Sequence, residues 1–337
     1  MKRSLVHPEA KNDWASIRQP EHITAVLDVI LIKLDDYFAR FCAAPPSTEA
    51  DLVAVLGNLG EVQTSSKNKQ SDTRSWLLER WATGLKKHYD KEERKYKAMF
   101  SEQRMEKFRD GNPKNFKDRL KTDCPVIHRS LRSKAEEMQE WKGSFARAKP
   151  QEMFDTFEEV LDFARPHVEA FENDLPETSL LPDTFAELAA FSDEPNLSLP
   201  GVIGAGIKST VVYYLFPSHF HRAVRHSLFG FYFLSDMQAF GLPSGTNEFI
   251  MINDTDKRRE QRGSEYNYKI DQNYWYPYDL FMFYSYWLFH KLECRSENYG
   301  VPLDPDFRFA YVFTFLHFVC ECNDGSMQVM AGGYGHE

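Results

Sequence analysis

The chain of 337 residues has little cysteine and no long apolar run. Its five cysteines, Cys42, Cys124, Cys294, Cys320 and Cys322, are odd in number and widely spaced. That excludes a dense disulfide framework and points to a reducing, cytoplasmic setting. Cys320 and Cys322 form a C-x-C, but no C-x-x-C or nearby His pair completes a zinc site. Neither a metal nor a cofactor is expected. The longest apolar stretch, YDLFMFYSYWLFHKL from Tyr278, is too short for a bilayer and rich in Tyr, so a core helix and no membrane contact are expected. The opening MKRSLVHPEAKNDW carries two positive charges without an apolar run behind them, and so does not read as a signal peptide.

Several catalytic signatures are also missing. No G-x-x-x-x-G-K-[ST] loop is present, which argues against a P-loop ATPase. GVIGAG lacks the preceding strand and following acid of a dinucleotide fingerprint. No G-x-S-x-G elbow occurs. The sequence alone establishes no reaction and leans away from an enzyme.

What is present is aromatic and unevenly charged. Phe, Trp and Tyr make up 15% of the chain, with a dense cluster in the last third, where the tightest core is expected. Residues 67 to 149 hold 23 Lys and Arg against 13 Asp and Glu, whereas residues 150 to 337 hold 12 against 28. A basic middle in an acidic protein suits a phosphate-binding face. It also suits docking onto the acidic half or an acidic partner, or a solvated helix of mixed charge.

Apolar spacing predicts a mainly α protein: a bundle-like N-terminal half and an aromatic-rich helical C-terminal half with at most a small β hairpin. The two regions are read as 1–150 and 151–337, with the boundary between Arg147 and Leu180. Helices are expected from about Glu21 to Cys42, Thr73 to Arg109 and His128 to Ala148, and again after Pro150. Phe249–Ile252 is the best strand candidate. The Gly-rich tail MAGGYGHE reads as frayed.

The stretch LSLPGVIGAGIKSTVVYYLFPSHFHRAVRHSLFGFYFLSD, from Leu197, reads as a glycine turn, a helix, a loop and another helix. Leu199, Pro200, Gly201 and Val202 begin a segment that resembles the helix-hairpin-helix of DNA repair glycosylases. Gly204 or Gly206 stands for its second glycine, and Ser209 and Thr210 for its small polar pair. The resemblance implies backbone N–H groups aimed at a phosphate, with Lys208 adding a charge. The hairpin is about two residues longer than that pattern. Arg225 stands where the catalytic Asp would follow, so base excision is not implied. Residues around Phe216, Pro217 and Phe220 are similar to a degenerate helical module of bacterial restriction-like and anti-phage proteins. About 40 of the 337 residues carry these likenesses. The alternative is a buried structural turn.

Arg222, Arg225 and His226 share one face if a helix starts near His221, and two guanidiniums and an imidazole can clamp a phosphate. His219 and His221 form an H-x-H that could ligate a metal. Glu248, Asp254, Asp256 and Lys257 supply the residue types of a magnesium nuclease, in poor order. Lys257, Arg258 and Arg259 form a basic loop able to touch a phosphate backbone. Tyr274, Trp275, Tyr276 and Tyr278 could stack on bases or edge the core. The expected nucleic-acid contacts are therefore Gly204, Gly206, Lys208, Arg222 and Arg225, then Lys257, Arg258 and Arg259. The leading expectation is a non-catalytic DNA- or RNA-binding or assembly subunit of a bacterial defence or DNA-processing system. A metal-dependent nuclease and a pure protein-interaction subunit are the alternatives.

Overall fold

A computed structural model describes residues 13–43, 66–135, 138–171, 175–176, 180–253 and 269–330. The protein is mainly α-helical, as the apolar spacing predicts. Helix α1, Pro20–Cys42, starts with a proline whose fixed φ suits a first turn. It buries Ile23, Val26, Ile30, Leu34 and Phe38, one helical face. Helix α2, Ser66–Leu85, runs into a π-helical turn, Lys86–Asp90, and then into α3, Lys91–Met99.

The long helix expected from Thr73 to Arg109 is thus interrupted. The π turn shifts the face presented by the chain, and Ser101 is extended (φ −62°, ψ 145°) before α4, Glu102–Arg109. Asn112 caps α5, Pro113–Asp123, by accepting a hydrogen bond from the Lys114 N–H at 2.9 Å. Helices α6, Pro125–Arg132, and α7, Met138–Arg147, replace the single helix expected from His128 to Ala148. The chain leaves helical geometry at Ser133, whose ψ is 137°. Helix α8, Pro150–Ala170, follows as expected after Pro150.

In the second half lie α9, Ala205–Leu215, and α10, Arg225–Leu234. Strands β1, Ile250–Asn253, and β2, Lys269–Gln272, pair antiparallel with Ile250 opposite Gln272 and Ile252 opposite Ile270. Helices α11, Tyr278–Glu297, and α12, Arg308–Cys322, are apolar on most sides. Helix α13, Asp324–Met330, closes the described chain.

Packing explains the pattern. Helix α12 touches α1, α2, α10, α11 and the π turn, so it has almost no solvent side. Tight approach is set by two glycines. A Cβ at Gly230 of α10 would lie 2.7 Å from Leu316 Cβ, and one at Gly84 of α2 would lie 2.1 Å from Thr314 Cγ2. Each fully buried Phe or Leu contributes about 1.5–3 kcal/mol, so this aromatic layer dominates stability. One apolar cluster takes in residues from both halves, Ile17 through Cys320. Among the described residues, no helix is long and apolar enough to cross a membrane.

Candidate nucleic-acid interface

The glycine turn forms as a tight loop. Leu199 and Ile203 make an isolated antiparallel bridge, with N–H to O distances of 3.0 and 2.8 Å. Gly201 between them has φ +73°, a left-handed conformation that glycine adopts without a Cβ clash. Gly204 caps α9, and its carbonyl accepts from the N–H groups of Ile207 and Lys208, both at 3.1 Å. Helix geometry leaves the first N–H groups, those of Ala205 and Gly206, without an intrahelical acceptor. Gly204 is exposed, and nothing lies within 4 Å of where its Cβ would be.

The basic middle of the chain meets this turn. Trp141 of α7 donates Nε1–H to the Val202 carbonyl at 2.9 Å. Ser144, one turn on, lies 3.5 Å from where a Gly201 Cβ would be. Arg147 is exposed and reaches Ser144 Oγ at 3.4 Å. A positive side chain thus stands beside the turn.

Lys208 is placed differently from the expectation. It is 1% exposed, donates to Ser198 Oγ at 2.9 Å and lies 4.8 Å from the Phe191 ring centre. Burial pushes its pKa down to about 8. It fastens the turn from inside and offers no surface charge. Ser209 and Thr210 are internal as well. Ser209 Oγ accepts from the Ala223 N–H at 3.0 Å, and Thr210 Oγ1 donates to the Gly206 carbonyl at 2.6 Å.

Arg222, Arg225 and His226 do not share one helix. Residues 221–224 are non-helical, and α10 begins only at Arg225. The irregular segment touches α9 at Gly206 and Ser209. The Arg222 guanidinium lies against three rings: Phe313 at 3.4 Å, Tyr213 at 5.1 Å and Tyr214 at 5.8 Å. Arg225 stands 5.1 Å from the Phe229 ring. The buried Nε of each Arg has no hydrogen-bond partner among the described residues. Neither forms an ion pair with a described carboxylate.

Three imidazoles complete the cluster. His226 stacks on His317 of α12 with ring centres 4.6 Å apart and planes at 12°. His88, presented by the π turn, lies 4.3 Å from His317 on centres. Single π turns inside helices recur at functional sites. Glu321 Oε1 is 3.2 Å from His317 Nδ1 and 3.0 Å from Lys87 Nζ. Those contacts hold its carboxyl down to about 2, against the opposing effect of burial. Burial pushes His88 down to about 3, with His317 and Arg222 adding repulsion. Burial likewise pushes His226 down to about 4, reinforced by His317, Arg222 and Arg225. The cluster carries positive charge with one half-exposed carboxylate beside it, so it favours an anion.

Other predicted residues separate. His221 is fully buried between Phe281 and Phe309, ring centres 4.9 and 5.7 Å away, with Nδ1 on Ser285 Oγ at 2.8 Å. His219 turns instead to Ser218 and Phe171, so the H-x-H does not converge. Among the described residues, no three His, Cys, Asp or Glu groups are placed to hold a metal. Glu248 is buried, paired with His22 and accepting from the Tyr276 hydroxyl at 2.5 Å. Tyr276 and Tyr278 are core, and Tyr274 is 48% exposed. Asp254, Asp256, Lys257, Arg258, Arg259 and the glycine-rich end of the tail lie outside the described residues.

Sequence reasoning missed His88, Phe313 and His317. They come from segments far from Arg222 in the chain. The only signal was weak: Phe313 and His317 are four apart on an apolar helix, one face of one turn. Comparison with known protein families, with curated proteins and with solved structures finds no match.

Proposed function

We propose that this chain is a nucleic-acid-binding subunit whose phosphate contacts centre on Arg222 and Arg225. The observation that carries the reading is the pair of guanidiniums with orphaned, buried Nε groups and no described carboxylate partner. Buried polar groups are normally satisfied, and an Arg fork without a carboxylate is suited to a phosphate. Gly204, Gly206 and the exposed Arg147 extend the contact along the nucleic acid's sugar-phosphate backbone. The helix-hairpin-helix resemblance supports the same direction, and the likeness to anti-phage modules supports a setting in bacterial defence or DNA processing.

The test is fluorescence anisotropy with a labelled 20-nucleotide single strand, RNA and DNA in parallel, across a salt series. Affinity should fall steeply as salt rises, because each neutralised phosphate releases counterions. The Arg222→Ala and Arg225→Ala variants should each weaken binding and flatten the salt slope by about one. Absent or salt-independent binding would sink the reading.

A further inference from the structure

We propose that Tyr274 is a stacking platform for an unpaired base beside Arg225, so that the ligand of this site is a single strand of nucleic acid. This rests on the nucleic-acid reading above and deepens it by naming the form of the ligand and the residue that selects it.

The aromatic residues that follow β2 take different places in the fold. Tyr276 and Tyr278 are buried, whereas Tyr274 is 48% exposed and is the one aromatic among the exposed large apolar side chains of the described residues. A single exposed apolar group is ordinary. What sets Tyr274 apart is how it is held. It is the second residue of a tight turn, closed by the Tyr276 N–H on the Asn273 carbonyl at 3.1 Å. Buried Asn273 braces that turn: its Oδ1 accepts from the Trp275 N–H at 3.2 Å, and its Nδ2 donates to the Glu248 carbonyl at 2.9 Å. The Tyr274 hydroxyl donates to Asp271 Oδ2 at 2.8 Å. The other Asp271 oxygen accepts from the Gln272 N–H at 2.8 Å, so both carboxylate oxygens are engaged. The ring is thus fixed through its backbone and through its hydroxyl, and no described aromatic ring packs on its face. A ring held in this way loses little freedom when a ligand lies on it.

The same turn lies within reach of Arg225. Helix α10, which Arg225 begins, packs on β2, and β2 ends two residues before Tyr274. Desolvation first and Asp271 second push the pKa of the Tyr274 hydroxyl up, and the Arg225 charge opposes them. The guanidinium itself packs on Phe229 and leaves the Tyr274 ring uncovered. Its Nε is buried, whereas its Nη groups are neither enclosed nor bonded among the described residues. A phosphate on those Nη groups brings the base of an adjoining nucleotide toward the Tyr274 ring. Stacking needs a free π face on the base. A single strand offers one at each nucleotide, and a duplex keeps it between base pairs. Every base has such a face, so the platform is tolerant of sequence.

The experiment measures anisotropy of the full chain with three labelled DNA probes of equal length: a single strand of mixed sequence, its duplex, and a strand of abasic sugar-phosphate. The single strand should bind about tenfold more tightly than the abasic strand, and more tightly than the duplex. Tyr274→Ala should weaken single-strand binding about tenfold and leave the abasic strand unchanged. Its salt slope should match that of the original chain, because no phosphate contact is removed. Tyr274→Phe should keep nearly all of the affinity, which separates the ring face from a structural role of the hydroxyl. Equal binding of the single and abasic strands, or tighter binding of the duplex, overturns the proposal and leaves the phosphate reading standing. So does a Tyr274→Ala protein with the original affinity, or one that loses the abasic strand equally. No binding of any probe overturns both. The comparison of probes uses the unchanged chain, so it decides even if Tyr274→Ala fails to fold.

Discussion

The guanidinium carbon of Arg222 lies 3.4 Å from the centre of the Phe313 ring. At that distance the charge sits on the ring's negative face, while Nη1 donates to the Tyr214 hydroxyl at 3.4 Å and Nε is buried. The contact holds the guanidinium against the ring. It also joins the segment before α10 to the central helix α12.

Substitution here should therefore act twice. Arg222→Ala should cost about 1–2 kcal/mol of stability through lost cation–π and stem packing. It should also weaken nucleic-acid binding. Arg222→Lys should keep the charge but lose the planar fork, and so recover little of either. Urea denaturation beside anisotropy reads both effects. An Arg222→Lys protein equal to the original in stability and affinity would remove the aromatic shelf from the argument.

Helices α10 and α12 cross where Gly230 meets Leu316. A methyl group at Gly230 would lie 2.7 Å from Leu316 Cβ and 3.1 Å from its Cα, so backbone must move. Gly230→Ala should destabilise by about 1–3 kcal/mol despite alanine's better helix propensity. Gly204→Ala should be nearly neutral, because open space lies around that position and the N-cap change costs only about 0.5–1 kcal/mol. Thermal melts of the two variants side by side test the contrast. Equal melting points would contradict the packing described.

Most of the fold was legible from apolar spacing. Helix α1 and the two aromatic helices α11 and α12 are where Ile23 to Phe38, Tyr278 to Leu292 and Phe309 to Val319 place them. The breaks were not legible. A π turn at Lys86–Asp90 and an extended Ser133 leave the pattern of apolar residues nearly intact while redirecting the chain. The site was half legible. Arg222 and Arg225 stood out because they are basic residues in an acidic half, but local spacing placed them on one helix. Their true neighbours, His88 and His317, arrive by tertiary packing, which no short motif encodes. Lys208 looked like a surface cation because it follows a glycine turn. The helix instead turns it inward onto Phe191.

That inward placement makes Lys208 a discriminating position. Its ammonium has Ser198 Oγ at 2.9 Å and lies on a ring, and its desolvation is unfavourable. Lys208→Met keeps the stem and removes the charge. Stability should change by no more than about 1 kcal/mol, in the stabilising direction if anything. RNA and DNA affinity should stay within about twofold, since a phosphate contact would be worth a full unit of salt slope. A drop of tenfold or more would put Lys208 back in the interface.

A buried pair ties α1 to the β hairpin. Glu248 is 4% exposed, contacts His22 and accepts from the Tyr276 hydroxyl at 2.5 Å. Removing it strands both partners. Glu248→Ala should cost about 3 kcal/mol, whereas Glu248→Gln, which keeps the shape and one acceptor, should cost less. Chemical denaturation of the two variants measures the gap. Equal losses would mean that the shape and the acceptor kept by glutamine recover nothing.

The histidines set the acid response of the whole protein. Burial in the folded state pushes His88 down to about 3, and His226 and His219 down to about 4, against 6.5 when unperturbed. Fully buried His221 is also pushed well below its ordinary value, by desolvation first and Arg222 second. Between those values and 6.5 the unfolded chain binds protons that the folded chain refuses. Stability therefore rises with pH across that window. It is complete above about 6.5 and is lost as pH falls toward 4. The depressed carboxyl of Glu321 works in the same direction, but at lower pH, toward its folded value of about 2. Urea midpoints measured from pH 7.5 down to 4.5 should fall monotonically. The double variant His88→Gln with His226→Gln should show a shallower fall, since two of the refused protons are gone. A bound phosphodiester should flatten the slope further, because its negative charge offsets the crowding that keeps His88 and His226 neutral. A pH-independent midpoint over this range would mean that these imidazoles are not buried as described.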